Sequence, residues 1–99
     1  MPLRTAARKD ANHSEIVSAC RQIGAYVLDI SQLPNCADLL VGYRGRWIVL
    51  EVKDGEKTKS QTKLTKGEQK FHDQAGYRAP VHIVYSADEA INILTGKKI

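Results

Sequence analysis

The segment Trp47-Ile48-Val49-Leu50-Glu51-Val52-Lys53 carries the side chains best suited to chemistry. Side chains alternate between the two faces of a strand. Ile48, Leu50 and Val52 therefore share one face that suits a core. Glu51 and Lys53 project together from the other face, with Trp47 and Val49. Glu-x-Lys is a short pattern, and an ion pair at a strand end accounts for it as well, contributing little to stability. The preceding strand, opening at Asp38, sharpens the reading. Asp38 to Tyr43 is joined to the next strand by Arg44-Gly45-Arg46, and two β-rich runs around so short a glycine turn read as a hairpin. A hairpin sets the start of one strand beside the end of the next, so Asp38 and Glu51 should meet. Two adjacent carboxylates raise each other's pKa. A hard divalent cation removes that conflict: Mg²⁺ prefers oxygen ligands and keeps several waters. Such an ion polarises a phosphodiester and lowers the pKa of water. Lys53 could orient the attacking water or stabilise charge on the phosphate.

The elements that must position these residues follow from capping and periodicity. Asn12 with Glu15 three residues on predicts an N-cap and capping box for a first helix. Ile16, Val17, Cys20 and Ile23 form its apolar stripe, and Gly24 its stop. A strand is predicted from Tyr26 to Ile30, a loop over Ser31–Cys36 with Pro34 and Asn35, then the strands Asp38–Tyr43 and Trp47–Lys53. Asp54 to Lys63 holds no apolar residue and reads as an exposed loop. Thr65 with Glu68 predicts a second capping box, with Leu64 as the staple residue, Phe71 and Ala75 inside the helix and a stop near Gly76. Val81 to Tyr85 reads as a fourth strand. Ser86 with Glu89 caps a last helix whose buried side is Ala90, Ile91 and Leu94, ending at Gly96 before Lys97 and Lys98. The order α-β-β-β-α-β-α predicts an α/β domain, a mixed four-stranded sheet flanked by helices.

Composition agrees with one small domain. The chain has 99 residues, 42% of them hydrophobic and 26% charged, which suits a globular protein and argues against disorder throughout. A core this small could lean on a partner subunit. The net charge of +4 favours an acidic partner weakly. Residues 1–11 read as a basic arm and 12–99 as the folded domain. No apolar leader and no run of ~20 apolar residues is seen, so a cytoplasmic protein without membrane contact is expected. Cys20 and Cys36 share no metal-binding spacing and read as reduced thiols. The histidines, His13, His72 and His82, share no zinc spacing and read as surface or partly buried residues. Neither a P-loop nor a dinucleotide fingerprint is present, so no organic cofactor is expected.

Asp38 with Glu51-Val52-Lys53 resembles the PD-(D/E)xK nuclease signature. More narrowly, the chain is similar to the small stand-alone virus-type replication-repair (VRR-Nuc) nucleases of phages. The resemblance is carried by Asn12-His13-Ser14-Glu15, Cys36-Ala37-Asp38-Leu39-Leu40-Val41-Gly42, Leu50-Glu51-Val52-Lys53-Asp54-Gly55 and Leu64-Thr65-Lys66-Gly67-Glu68-Gln69-Lys70-Phe71. It implies a restriction-endonuclease-like core, and Mg²⁺ or Mn²⁺ held by Asp38, Glu51 and the main-chain carbonyl of Val52. Lys53 would be the catalytic lysine. Glu15 matches the helical acidic residue near the metal, and Gln69 the glutamine near Lys53 and the scissile phosphate. Ala37 departs from the proline that usually precedes the aspartate; that proline stiffens the strand entry rather than binding metal. The implied function is a DNA endonuclease acting on branched, Holliday-junction-like DNA in phage replication, recombination or repair, as a homodimer. The alternatives are a non-catalytic DNA-binding module of the same fold, or a nuclease for flaps or linear duplex.

Several residues carry two readings. Glu15 is explained by capping as well as by metal binding, and Gln69 by a plain amphipathic helix surface. Lys57, Lys59, Lys63, Lys66 and Lys70 could track phosphates beside Lys53, with Arg8 and Lys9 of the arm doing the same, or be solvated. Arg44 and Arg46 should lie at the far side from the site. Trp47 is expected to pack rather than to stack on bases.

Overall fold

The structure, a computed structural model, describes residues 12–54 and 63–96. The arm with Arg8 and Lys9, the loop lysines Lys57 and Lys59, and Lys97 and Lys98 lie outside the described residues. The described elements are α1 (His13–Gln22), β1 (Tyr26–Asp29), β2 (Leu39–Tyr43), β3 (Arg46–Val52), α2 (Lys66–Gly76), β4 (Val81–Val84) and α3 (Ala87–Thr95). Together they make a small α/β domain in which three helices flank a mixed four-stranded sheet.

The sheet order is β1-β2-β3-β4. β1–β2 and β2–β3 are antiparallel, and β3–β4 is parallel. The β2–β3 hairpin turns through Arg44 (φ 50°) and Gly45 (φ 82°) alone, Tyr43 facing Arg46. Two consecutive residues at positive φ match the twist of the flanking strands, as in a type I′ turn. β3 therefore begins one residue earlier than expected, at Arg46, whose guanidinium donates to the Leu94 carbonyl near the end of α3 (3.1 Å). Four residues on, register brings Leu39 opposite Leu50, which sets Asp38 beside the end of β3.

The core lies on one face of the sheet. Val27, Leu39, Val41, Ile48, Leu50, Val52 and Val84 are buried there against Ile16 and Cys20 of α1 and Ala90 and Leu94 of α3. α1 ends as its sequence predicts. Gly24 at φ 92° lets its own amide donate to the Arg21 carbonyl and the Ala25 amide to the Cys20 carbonyl, a paired closure of the last turn. Its start differs from expectation. Asn12 makes no side-chain cap bond to the helix. Its amide Nδ2 donates instead to the carbonyls of Lys53 (3.0 Å) and Tyr85 (2.8 Å), tying the ends of β3 and β4 together. A tertiary pair of carbonyls outcompetes the local amide, so no Asn12–Glu15 box forms.

α2 lies on the opposite face, against the β3–β4 end. Its capping box is complete: Thr65 Oγ1 accepts from the Glu68 amide and Glu68 Oε1 from the Thr65 amide. Gly67 is required by close approach, because a side chain there would run into Asn35 of the β1–β2 loop. Ser86 caps α3 through the Glu89 amide, while Glu89 reaches back to the Tyr85 amide. Gly96 closes α3 at φ 77°. Cys20 and Cys36 are free thiols, Cys20 in the core. Among the described residues no helix is long and apolar enough to cross a membrane.

Candidate active site

Alternation along β3 does what the sequence demands: Ile48, Leu50 and Val52 enter the core, while Trp47, Val49 and Glu51 face the other way. Asp38 precedes Leu39 of β2 and sits next to Glu51. Its carboxylate Oδ2 accepts from the Val52 amide at 2.7 Å, and its own amide donates to the Leu50 carbonyl at 3.1 Å. The side chain thus extends the strand ladder by one rung and cannot swing away without leaving a β3 amide unpaired. The Lys53 amide donates to Val84 across the parallel pair, which fixes the end of β3 from its other side.

Glu51 is only 1% exposed. Burial, then the hydrogen bond and charge of Asp38, then the charge of Glu68, push its carboxyl up to about 9, against the pull of Lys53. Lys53 Nζ lies 3.9 Å from Glu51 Oε2 and 3.4 Å from Glu68 Oε1. The lysine is therefore shared between β3 and the first turn of α2. On the far side, His72 Nε2 stands 3.3 Å from Glu51 Oε1. Burial lowers the His72 pKa; the charge of Glu68 works against it, Lys53 works with it, and Asp73 again against it.

Glu68 and His72 are the residues that sequence reasoning missed here. Glu68 was read only as a cap and His72 as an ordinary surface or partly buried histidine. The signal was available: they are four apart, which stacks them on one face of α2. Gln69 is one residue further round, roughly 100° away. It is exposed and donates to Asp73 at 2.9 Å. The face that meets Glu51 and Lys53 is thus the Glu68–His72 face rather than that of Gln69.

Glu15 is exposed in the first turn of α1. No group of three or more His, Cys, Asp and Glu side chains is gathered as a metal cage among the described residues. Two carboxyls forced together, one of them buried and retaining its proton, are nevertheless an oxygen donor set of the kind a hard divalent cation relieves. The Val52 main chain lies directly beside them. Lys63, Lys66 and Lys70 are exposed before and along α2. His13 is buried and bonded to Asp29 at 3.1 Å, and His82 is partly buried in β4, so neither belongs to this cluster. No protein-family model, no curated protein and no solved structure matches the chain.

Proposed function

We propose that the chain is a DNA endonuclease that hydrolyses phosphodiester bonds with Mg²⁺ or Mn²⁺, in the manner of the PD-(D/E)xK nucleases it resembles. The observation that carries this reading is the juxtaposition of Asp38 and Glu51 on adjacent strands, with Lys53 beside them at the end of β3. Asp38, Glu51 and the Val52 carbonyl are the ligands that would hold the cation. When bound, the cation supplies charge neutralisation at the phosphate and activation of water. Among the described residues Lys53 bears the positive charge nearest the carboxyl pair, and it stabilises the extra charge of the pentacovalent phosphate. Glu68 steadies the lysine through its ion pair. His72 orients Glu51 from the opposite side. Lys63, Lys66 and Lys70 supply positive charge for the flanking phosphates.

The resemblance further proposes branched DNA as substrate, a restriction-endonuclease-like core, and a homodimer whose two-fold axis would relate two cuts. One observation favours a second reading, a DNA-binding module that does not cut. Lys53 is engaged by Glu68, and Glu51 is shielded beneath α2. Cleavage of a labelled four-way junction and of matching linear duplex, with Mg²⁺, Mn²⁺ or EDTA, separates the two. Metal-dependent cutting is expected, with Glu51→Ala and Lys53→Ala each losing it by at least about 10²-fold, the scale of removing one preorganised charge. A folded wild-type protein that binds the junction and cuts nothing with either metal gives the second reading the field.

A further inference from the structure

The sheet face that carries Glu51 is covered by α2 only at one end. At the other end Tyr26 of β1 and Trp47 of β3 stand 61% and 63% exposed, with Leu28 beside them also exposed. Their rings meet edge to face, centroids 6.2 Å apart. Gly42 lies between the two in the register, and the indole rests directly over it; a Cβ there would stand 3.2 Å from the Trp47 ring. The glycine acts as a floor that lets the indole lie against the backbone. Tyr26, Gly42 and Trp47 line an open hollow of about 480 Å³, whose other walls are Gly24, Tyr43, Arg44, Gly45 and Arg46. The wall holds two arginines and no carboxylate.

We infer that the Tyr26–Trp47 face is a stacking platform for unpaired bases of single-stranded DNA. The chemistry fits that occupant: solvent-exposed aromatic faces offer the bases a π-surface, and the charge at the hairpin end of the hollow is positive, from Arg44 over the Tyr43 ring and Arg46 bonded to the Leu94 carbonyl. A second copy of the chain fits less well. A two-fold contact buries the same patch on both partners, which would bring two sets of arginines together with no carboxylate in the hollow to pair them. The inference rests on the nuclease reading for its direction. Trp47 and Glu51 share one face of β3 and are four residues apart, ~13 Å along the strand. That spacing is roughly four stacked nucleotides at ~3.4 Å each. A strand whose phosphate reaches the Glu51 end of β3 would lay an unpaired base about four nucleotides away on Trp47, so the platform selects DNA with single-stranded character within that distance of the cut.

Trp47 is the chain's only tryptophan, and its fluorescence reports the platform directly. The wild-type protein is titrated in EDTA with a twelve-nucleotide oligodeoxythymidine and, separately, with the blunt oligo-dA·oligo-dT duplex of equal length. Saturable quenching by the single strand, and much weaker quenching by the duplex, is expected. By anisotropy of the labelled single strand, Trp47→Leu should weaken binding roughly 5- to 100-fold, as loss of one base–aromatic stack implies. Tyr26→Leu, a second variant checked for folding by circular dichroism, should reduce both the quenching and the affinity. Because the titration is run in EDTA, quenching reads the platform separately from cleavage, and the platform stands even if no cleavage is ever seen. Single-strand binding that leaves the indole unquenched, with affinity unchanged in both folded aromatic variants, overturns the platform and leaves the nuclease reading untouched. Quenching that follows protein concentration alone, with a dimer in sedimentation, overturns it in favour of a second copy.

Discussion

At Glu51 burial and charge are set against each other. In the unfolded chain its carboxyl ionises near the ordinary 4.5, whereas in the fold it keeps its proton to about 9. Between those values the folded protein binds one proton more than the unfolded one. Without metal, this group therefore makes stability fall as pH rises from about 4.5 to about 9. Glu51→Gln keeps the shape, removes the titration and removes the repulsion of Asp38. Thermal melts in EDTA across that window should show a falling midpoint for the wild type and a flatter, higher one for Glu51→Gln. Parallel pH profiles for the two proteins would sink this account. The meeting of Asp38 with Glu51 was legible in the sequence because hairpin geometry and strand alternation are rigid rules. The depth of burial was not, because it depends on α2 crossing that face. Nothing local to β3 reports a helix whose nearest residue is more than ten positions away.

The same contrast holds among the elements. α2 carries its capping box as read, because Glu68 Oε1 accepts from the Thr65 amide and meets Lys53 Nζ at the same time. α1 shows the opposite case. Asn12 has the right type and spacing for a cap, yet its amide binds Lys53 and Tyr85 carbonyls from two strands. A cap read from sequence fails where a distant partner takes the capping group away from the helix, and survives where the group serves both. The consequence is measurable. Asn12→Ala leaves two carbonyls at the ends of β3 and β4 short of a donor and should cost about 1–2 kcal/mol. In a domain of this size that lowers the melting midpoint by roughly 5–15 °C. Glu15→Ala, at an exposed position without the box, should stay within about 0.5 kcal/mol of wild type. Equal losses for the two variants would restore the capping box and refute the strand-tying role. The effect should extend to the site, since Asn12 holds the residue that bears Lys53.

On the scale of the molecule, the sheet separates two tasks. One face is given to packing, with α1 and α3 closing the core. The other is divided along β3 between a buried polar end under α2 and an open aromatic end at the hairpin. The trace of β3 thus couples a site that lacks solvent to a surface that has it. The buried end stores an unfavourable arrangement, two carboxyls with a proton between them, and a cation would release it by displacing that proton. Because a small domain is only marginally stable, the release should appear in its melting temperature. For a site in this fold alone, Mg²⁺ at about one hundred times its Kd adds ~2.7 kcal/mol, or roughly 10–20 °C for a domain of this length. The proton competes with the cation for Glu51, so the Mg²⁺ concentration needed should fall as pH rises toward about 9. Glu51→Gln, with its neutral amide, should lose most of the shift and all of its pH dependence. A wild-type midpoint indifferent to Mg²⁺ at both pH 6 and pH 8.5 would mean that the proton, with Lys53 and His72 around it, is the partner the pair is built to keep. The proposed module that binds DNA without cutting it would then take the lead over the nuclease reading.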